Sequence, residues 1–337
     1  MRSVLALLLA LGSLLLGLVL ISFAIGRYPV TPGTVVAVML AKVCSIGATW
    51  SPETEAVVLA IRLPRIASAV LVGAALSASG AAYQGLFRNP MVSPGILGVS
   101  SGASLGAAVA ILLGLGTVGI QGSAFVGGLG AVALTWAMSS MVRGGSDPVL
   151  VTVLAGTIVS ALLAALVALV KLVADPSNAL PTITYWLMGS LASVGTNDVA
   201  LAAVPIIGGL AVLLSLGFPL DILCFGDDEA KALGAEPARL RLVIIIAATL
   251  VTAASVAISG VIGLVGLVVP HLARMLVGPG HRRLIPAAAL LGGAFLLAVD
   301  DVARSLFAIE VPLGILTSII GAPFFLYLLQ RGRGGWT

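Results

Sequence analysis

Between Arg2 and Arg27 the chain reads SVLALLLALGSLLLGLVLISFAIG, without one charged side chain. A run this long and apolar belongs in hydrocarbon, where a single segment satisfies its own backbone only as a helix. The pattern recurs. Counting runs near the roughly 20 residues that cross a bilayer gives ten candidate spans, at 4–25, 56–86, 96–115, 120–142, 149–172, 198–217, 240–259, 261–276, 284–299 and 311–329. Charged residues make up 9% of the 337, against about 25% in a soluble domain. The runs are continuous rather than alternating, which excludes an outer-membrane barrel. The chain is therefore an all-α integral membrane protein of about ten transmembrane helices, read as one domain over 1–337. The first run is too long for a signal-peptide core and precedes no small-residue cleavage pattern, so it reads as a retained helix. Most of the 41 glycines read as close helix packing.

Orientation follows from Lys and Arg. With both termini cytoplasmic, 11 of the 17 basic residues fall inside. The net charge of +4 thus marks topology rather than nucleic-acid binding. Three arginines, Arg62, Arg65 and Arg304, fall near the outer face against this rule and need another reason. Cys44 and Cys224 fall on opposite sides, so no disulfide is expected. The scattered His, Cys, Asp and Glu residues show no metal-ligand spacing. No G-x-x-x-x-G-K-[ST] stretch is present to cradle ATP phosphates. No chain of ionisable residues and no internal repeat supports an ion-coupled secondary transporter. An intramembrane enzyme would need acids or a Ser/His set at one depth, and the sequence marks no such set around His271. Energy for transport would have to come from another subunit.

Two irregular stretches stand out. RNPMVSPGILGVSSGAS, 88–104, sets prolines and glycines among apolar residues between two spans. Irregular backbone at membrane depth is tolerated only where protein buries it or water reaches it. The second, 219–241, is the longest polar inside segment. GDDEAKALGA reads as a short helix with Asp227 and Asp228 at its positive end and Gly234 as its stop. Pro237 reads as opening a second short helix before the next span. Plain loop and docking surface for a cytoplasmic partner both fit this composition. Tyr185, Trp186 and Met188, in ITYWLMGSLASVG, fall near the outer mouth, where contact with a chelate and, more commonly, interfacial anchoring both fit.

RLPRIASAVLVGAALSASGAAYQGLFRNPMVSPGILGVSSGASLG (62–106), GDDEAKALGAEPARLR followed by SGVIGLVGLVVPHLARMLVGPGHRRLIP, and VPLGILTSIIGAPFFLYLL resemble the signature blocks of the FecCD-type, or type II, ABC import permeases. The resemblance covers the chain from about residue 27. It implies a fold like that of the vitamin B12 importer permease and a homodimer with the path between two copies, lined by span 149–172. It implies two ATP-binding-cassette ATPase subunits, which hold ATP and Mg, and a periplasmic or surface-anchored substrate-binding protein. It implies no cofactor on this chain, no catalysis by it, and a place in the cytoplasmic (inner) membrane. The cargo would be a ferric siderophore, haem or cobalamin, with molybdate or tungstate as the alternative. By the same resemblance Arg62, Arg65 and Arg304 accept glutamates of the binding protein, a task for which the planar guanidinium fork is suited; internal pairing with Glu53, Glu55, Asp300, Asp301 or Glu310 is the rival. Asp228, Glu229, Ala230, Leu233 and Gly234 match the ATPase-coupling helix. Asn89 and Met91 match the cytoplasmic gate, with the Arg143–Pro148 turn as its second part.

Overall fold

The computed structural model describes residues 2–42, 50–142, 148–305 and 309–331. Cys44, most of the Arg143–Pro148 turn and Arg333 lie outside the described residues. Fifteen α-helices follow in order among the described residues: α1 Arg2–Ala24, α2 Pro32–Ala41, α3 Pro52–Ala56, α4 Leu63–Leu86, α5 Val99–Leu112, α6 Thr117–Met141, α7 Pro148–Val173 and α8 Ala179–Leu187, then α9 Thr196–Ser215, α10 Gly217–Cys224, α11 Asp227–Ala232, α12 Pro237–Ser259, α13 Val265–Val277, α14 His281–Ser305 and α15 Leu313–Arg331.

Each of the ten expected spans has its helix, with altered bounds. Seven are long and apolar enough to cross a bilayer by themselves. Span 261–276 becomes α13, whose 13 residues cover only about 20 Å at 1.5 Å per residue; Gly260 and Leu264, both at positive φ, break the helix before it. Span 284–299 lengthens to the 25 residues of α14. Span 56–86 extends back to Pro52 through a π-helical turn, Val57–Arg62. Pro64 accounts for that turn: it lacks an N–H and crowds the carbonyl one turn earlier. The backbone widens there, and Leu63 N–H bonds to Val58 O. Pro237 opens α12 itself rather than a separate short helix.

α4 is the central helix, packed on α14, α12, α13 and α9. Its small residues set how close the neighbours come. A methyl on Gly73 would lie 2.2 Å from Gly292 O, and one on Gly80 1.9 Å from Gly266 O. Such backbone-to-backbone approach is the packing mode of helices that gain nothing from expelling water. α5, α6 and α7 form a second layer, and α1 lies on α14. Along α7, Leu150, Leu154, Ile158, Leu162, Leu166 and Leu169 form an exposed stripe.

Candidate functional site

Three clusters coincide with the regions singled out from sequence. The first lies at the end of the bundle where α1, α4 and α14 meet. Arg62 and Arg65, three residues apart, share a helix face. Arg304 comes beside them from α14, and all three are buried. Arg65 donates through Nε and Nη2 to Asp300 at 2.8–3.1 Å, and through Nη2 to Glu310. Arg304 donates to Asp301, to Ser22 Oγ and to the carbonyls of Ser22 and Ile25 at 2.7 and 2.9 Å. Ser22 Oγ in turn donates to Asp301 at 2.7 Å. Among the described residues, Arg62 bonds only backbone, the carbonyls of Phe23 and Tyr28. The structure thus gathers the three arginines and supplies Arg65 and Arg304 with internal carboxylates. A cavity of about 230 Å³ opens onto them, lined also by Arg27, Tyr28 and Glu310.

The second cluster is the 88–104 turn at the opposite end. α4 stops in a reversal in which Asn89 N–H reaches back to Gln84 O and Arg88 N–H to Gly85 O, with Arg88 at φ 47° in the left-handed position. Asn89 Oδ1 then accepts from Met91 N–H at 2.9 Å. A 3-10 turn, Pro94–Leu97, follows, with Gly98 at φ 87°. Its backbone is served by neighbours: Thr135 Oγ1 donates to Leu97 O at 3.0 Å. Pro94 and Leu97 are buried, Pro94 lies against Gly266 of α13, and Gly156 of α7 lies against Ile96 O. Asn89 and Met91 stay exposed at its tip.

The third cluster is the polar segment at that same end. α11 ends as its sequence dictates: Gly234, at φ 80°, places its N–H on Lys231 O, and Ala235 N–H reaches Ala230 O. Asp227 pairs with Arg241 of α12. Asp228, Glu229, Leu233 and Gly234 are exposed. Ala230, matched by resemblance to the ATPase-coupling helix, is fully buried within its own chain, because α11 folds back on α10 and α12.

Sequence reasoning overlooked α10 and its bond to α14. Asp221 accepts from His281 N–H at 2.7 Å and meets His281 Nδ1 at 2.8 Å. The other face of that imidazole lies on Gly85, where a methyl would come within 2.2 Å of Nε2. Cys224 Sγ also reaches Gly85 O, at 3.7 Å, and burial pushes its thiol pKa up. The helix before α11 is thus bound to the segment leading into the 88–104 turn. The sequence signal there is His281 beside Arg282 and Arg283, which by itself marks no more than topology. His271 sits half-buried on α13. Tyr185 and Trp186 line a cavity of about 460 Å³ with Gln121, Thr182, Ser193 and Ser259.

Comparison with known proteins gives one answer. The model of the FecCD transport family matches residues 14–331. The molybdate import system permease protein MolB of Haemophilus influenzae is 42% identical over 315 residues, covering 93% of this chain and 92% of its own. The cobalamin import system permease protein BtuC of Halobacterium salinarum is 40% identical over 354 residues, covering 95% of each. A solved structure described as an inward-facing metal-chelate type ABC transporter superposes with a TM-score of 0.85 at 41% identity, over 97% of this chain and 99% of that one. The ordered helices, the two irregular segments and these matches agree: the chain is a multi-pass membrane protein and belongs to the FecCD transport family of ABC-transporter permease subunits.

Proposed function

We propose that this chain is the permease subunit of an ATP-driven importer that moves a metal chelate across the cytoplasmic membrane, with both termini inside. The observation that carries this is the family match over residues 14–331 joined to the placement of the three clusters: a guanidinium-rich cavity at one end, an irregular turn and an exposed helix at the other. Two copies pair about a two-fold axis with the path between them; the exposed α7 stripe is a face such pairing would use. The outer arginines receive acidic side chains of a substrate-binding protein. Asp228, Glu229, Leu233 and Gly234 seat against a separate ATPase subunit, which holds ATP and Mg. Asn89 and Met91 form the tip of the cytoplasmic gate.

Transport follows from differential binding. ATP must favour one arrangement of the two permease copies over the other. Movement of α11 reaches α10 directly, and the Asp221–His281–Gly85 contact carries it to the end of α4 and so to the gate turn. Among the described residues, the outer cavity beside Tyr185 and Trp186 offers hydroxyls, an amide and aromatic faces but no charge. Such a lining lets a large chelate pass without holding it. No hydrolytic constellation is needed on this chain.

A second cargo, molybdate or a similar oxyanion, is favoured by the 42% identity to the Haemophilus molybdate permease. The test is ATP hydrolysis by the assembled transporter with its binding protein loaded with ferric siderophore, haem, cobalamin or molybdate. Stimulation by a chelate supports the first reading; stimulation by molybdate alone replaces it with the second.

A further inference from the structure

Arg65 has two carboxylate partners of unequal standing. Asp300 is wholly buried, belongs to the regular helix α14, and grips the guanidinium side-on through both oxygens. Glu310 lies outside any helix, before α15, and meets Arg65 through Nη2 alone. Its side chain is 26% exposed, against 10% for Arg65 and none for Asp300. It also lines the cavity that opens onto Arg27, Arg62 and Arg304. Among the described residues Arg62, Arg65 and Arg304 share three carboxylates there, Asp300, Asp301 and Glu310. Take Glu310 away and the three guanidinium groups share two, at the opening of a site with low-dielectric walls. A buried guanidinium tolerates such loss poorly and recruits another carboxylate.

We propose that Glu310 is a displaceable stand-in: in the free permease it occupies the open side of Arg65, and an acidic side chain of the docking protein takes its place. This rests on the docking reading given above and adds its regulation. The exchange has a route inward. Three residues after Glu310, Leu313 N–H bonds Gly189 O at 2.9 Å, and Gly314 N–H bonds Met188 O at 3.0 Å. That turn follows α8, which carries Tyr185 and Trp186 on the outer cavity. Release of Glu310 therefore loosens the segment that leads into α15 and its tie to the cavity wall.

The test uses the permease assembled with its ATPase subunits in lipid nanodiscs. Affinity for its cognate substrate-binding protein is measured by biolayer interferometry. A stand-in lowers affinity to the fraction of time it leaves the site open. For a partly exposed ion pair that loss is about five-fold, so Glu310→Gln and Glu310→Ser should each tighten binding by about that factor. Glu53→Gln, which removes an exposed acid at the same end without touching Arg65, should change affinity less than about two-fold, the size of a screened surface charge. Equal gains from Glu53→Gln and Glu310→Gln, or no gain from either Glu310 variant while Arg62→Glu weakens binding, overturn the stand-in and leave docking intact. If Arg62→Glu also leaves affinity unchanged, the docking reading falls and the stand-in with it.

Discussion

Asp300→Asn isolates the chemistry that holds the outer cluster together. The substitution keeps the shape and one acceptor but removes the charge. Asp300 is fully buried, takes three hydrogen-bond contacts from Arg65 and lies 3.7 Å from Arg304 Nε. Removing one partner of a buried pair costs about 3–5 kcal/mol, because the other charge stays desolvated without compensation. Arg65 still has Glu310 and Arg304 still has Asp301, so the loss falls at the lower end, about 3 kcal/mol. That is roughly a hundred-fold shift in the unfolding equilibrium at 1.4 kcal/mol per decade. Unfolding by SDS in mixed micelles, followed by far-ultraviolet circular dichroism, reads it. The double variant Arg65→Met/Asp300→Leu replaces the pair by apolar groups of similar size and should regain at least about 2 kcal/mol of the single-variant loss. Glu310, freed in that variant, is exposed enough to be hydrated. A single variant within about 0.5 kcal/mol of wild type, or a double variant as unstable as the summed singles, would refute the reasoning.

Three further outcomes follow from contacts elsewhere. Gly80→Ala puts a methyl 1.9 Å from Gly266 O, which only separation of α4 and α13 relieves; a loss above about 2 kcal/mol in the same unfolding assay is expected. Asp221→Ala leaves the His281 N–H and ring without their acceptor. It should cost about 1–3 kcal/mol and lower cargo moved per ATP hydrolysed, whereas unchanged coupling would remove the Asp221–His281 link from the route to the gate. Leu233→Asp alters a side chain that is 63% exposed. Stability should stay within about 0.5 kcal/mol of wild type while co-purification with the ATPase subunit drops, and full retention of the ATPase would show that this face is not its seat.

Much of this architecture is legible in the chain because hydrocarbon imposes a length on each apolar run. Ten runs predict ten helices, and Gly234 and the residues beside it predict how α11 ends. What sequence misses depends on partners far along the chain. Arg65 and Asp300 are 235 positions apart, and no local pattern says that they meet. The charge rule could mark Arg62, Arg65 and Arg304 as misplaced, and the resemblance could give them a partner. Internal pairing stood as the rival, and Asp301, three positions from Arg304, lay within local reach; what sequence could not do was choose Asp300 and Glu310 for Arg65. Asp221 and His281, 60 positions apart, escaped for the same reason. The short helices α2, α8 and α10 fall below the length at which apolar periodicity is informative. The 88–104 turn was legible as irregular; that Thr135 would serve its backbone, through Leu97 O, was not.

The central claim is that this chain is driven by a separate ATPase and imports rather than exports. The most direct measurement is accumulation of the loaded cargo in proteoliposomes. The permease would be assembled with and without the ATPase subunit, with ATP enclosed and the binding protein added outside. The account predicts accumulation only with ATPase, ATP and loaded binding protein all present, and its loss in Arg62→Glu. Accumulation without the ATPase subunit, driven by an ion gradient alone, would contradict it.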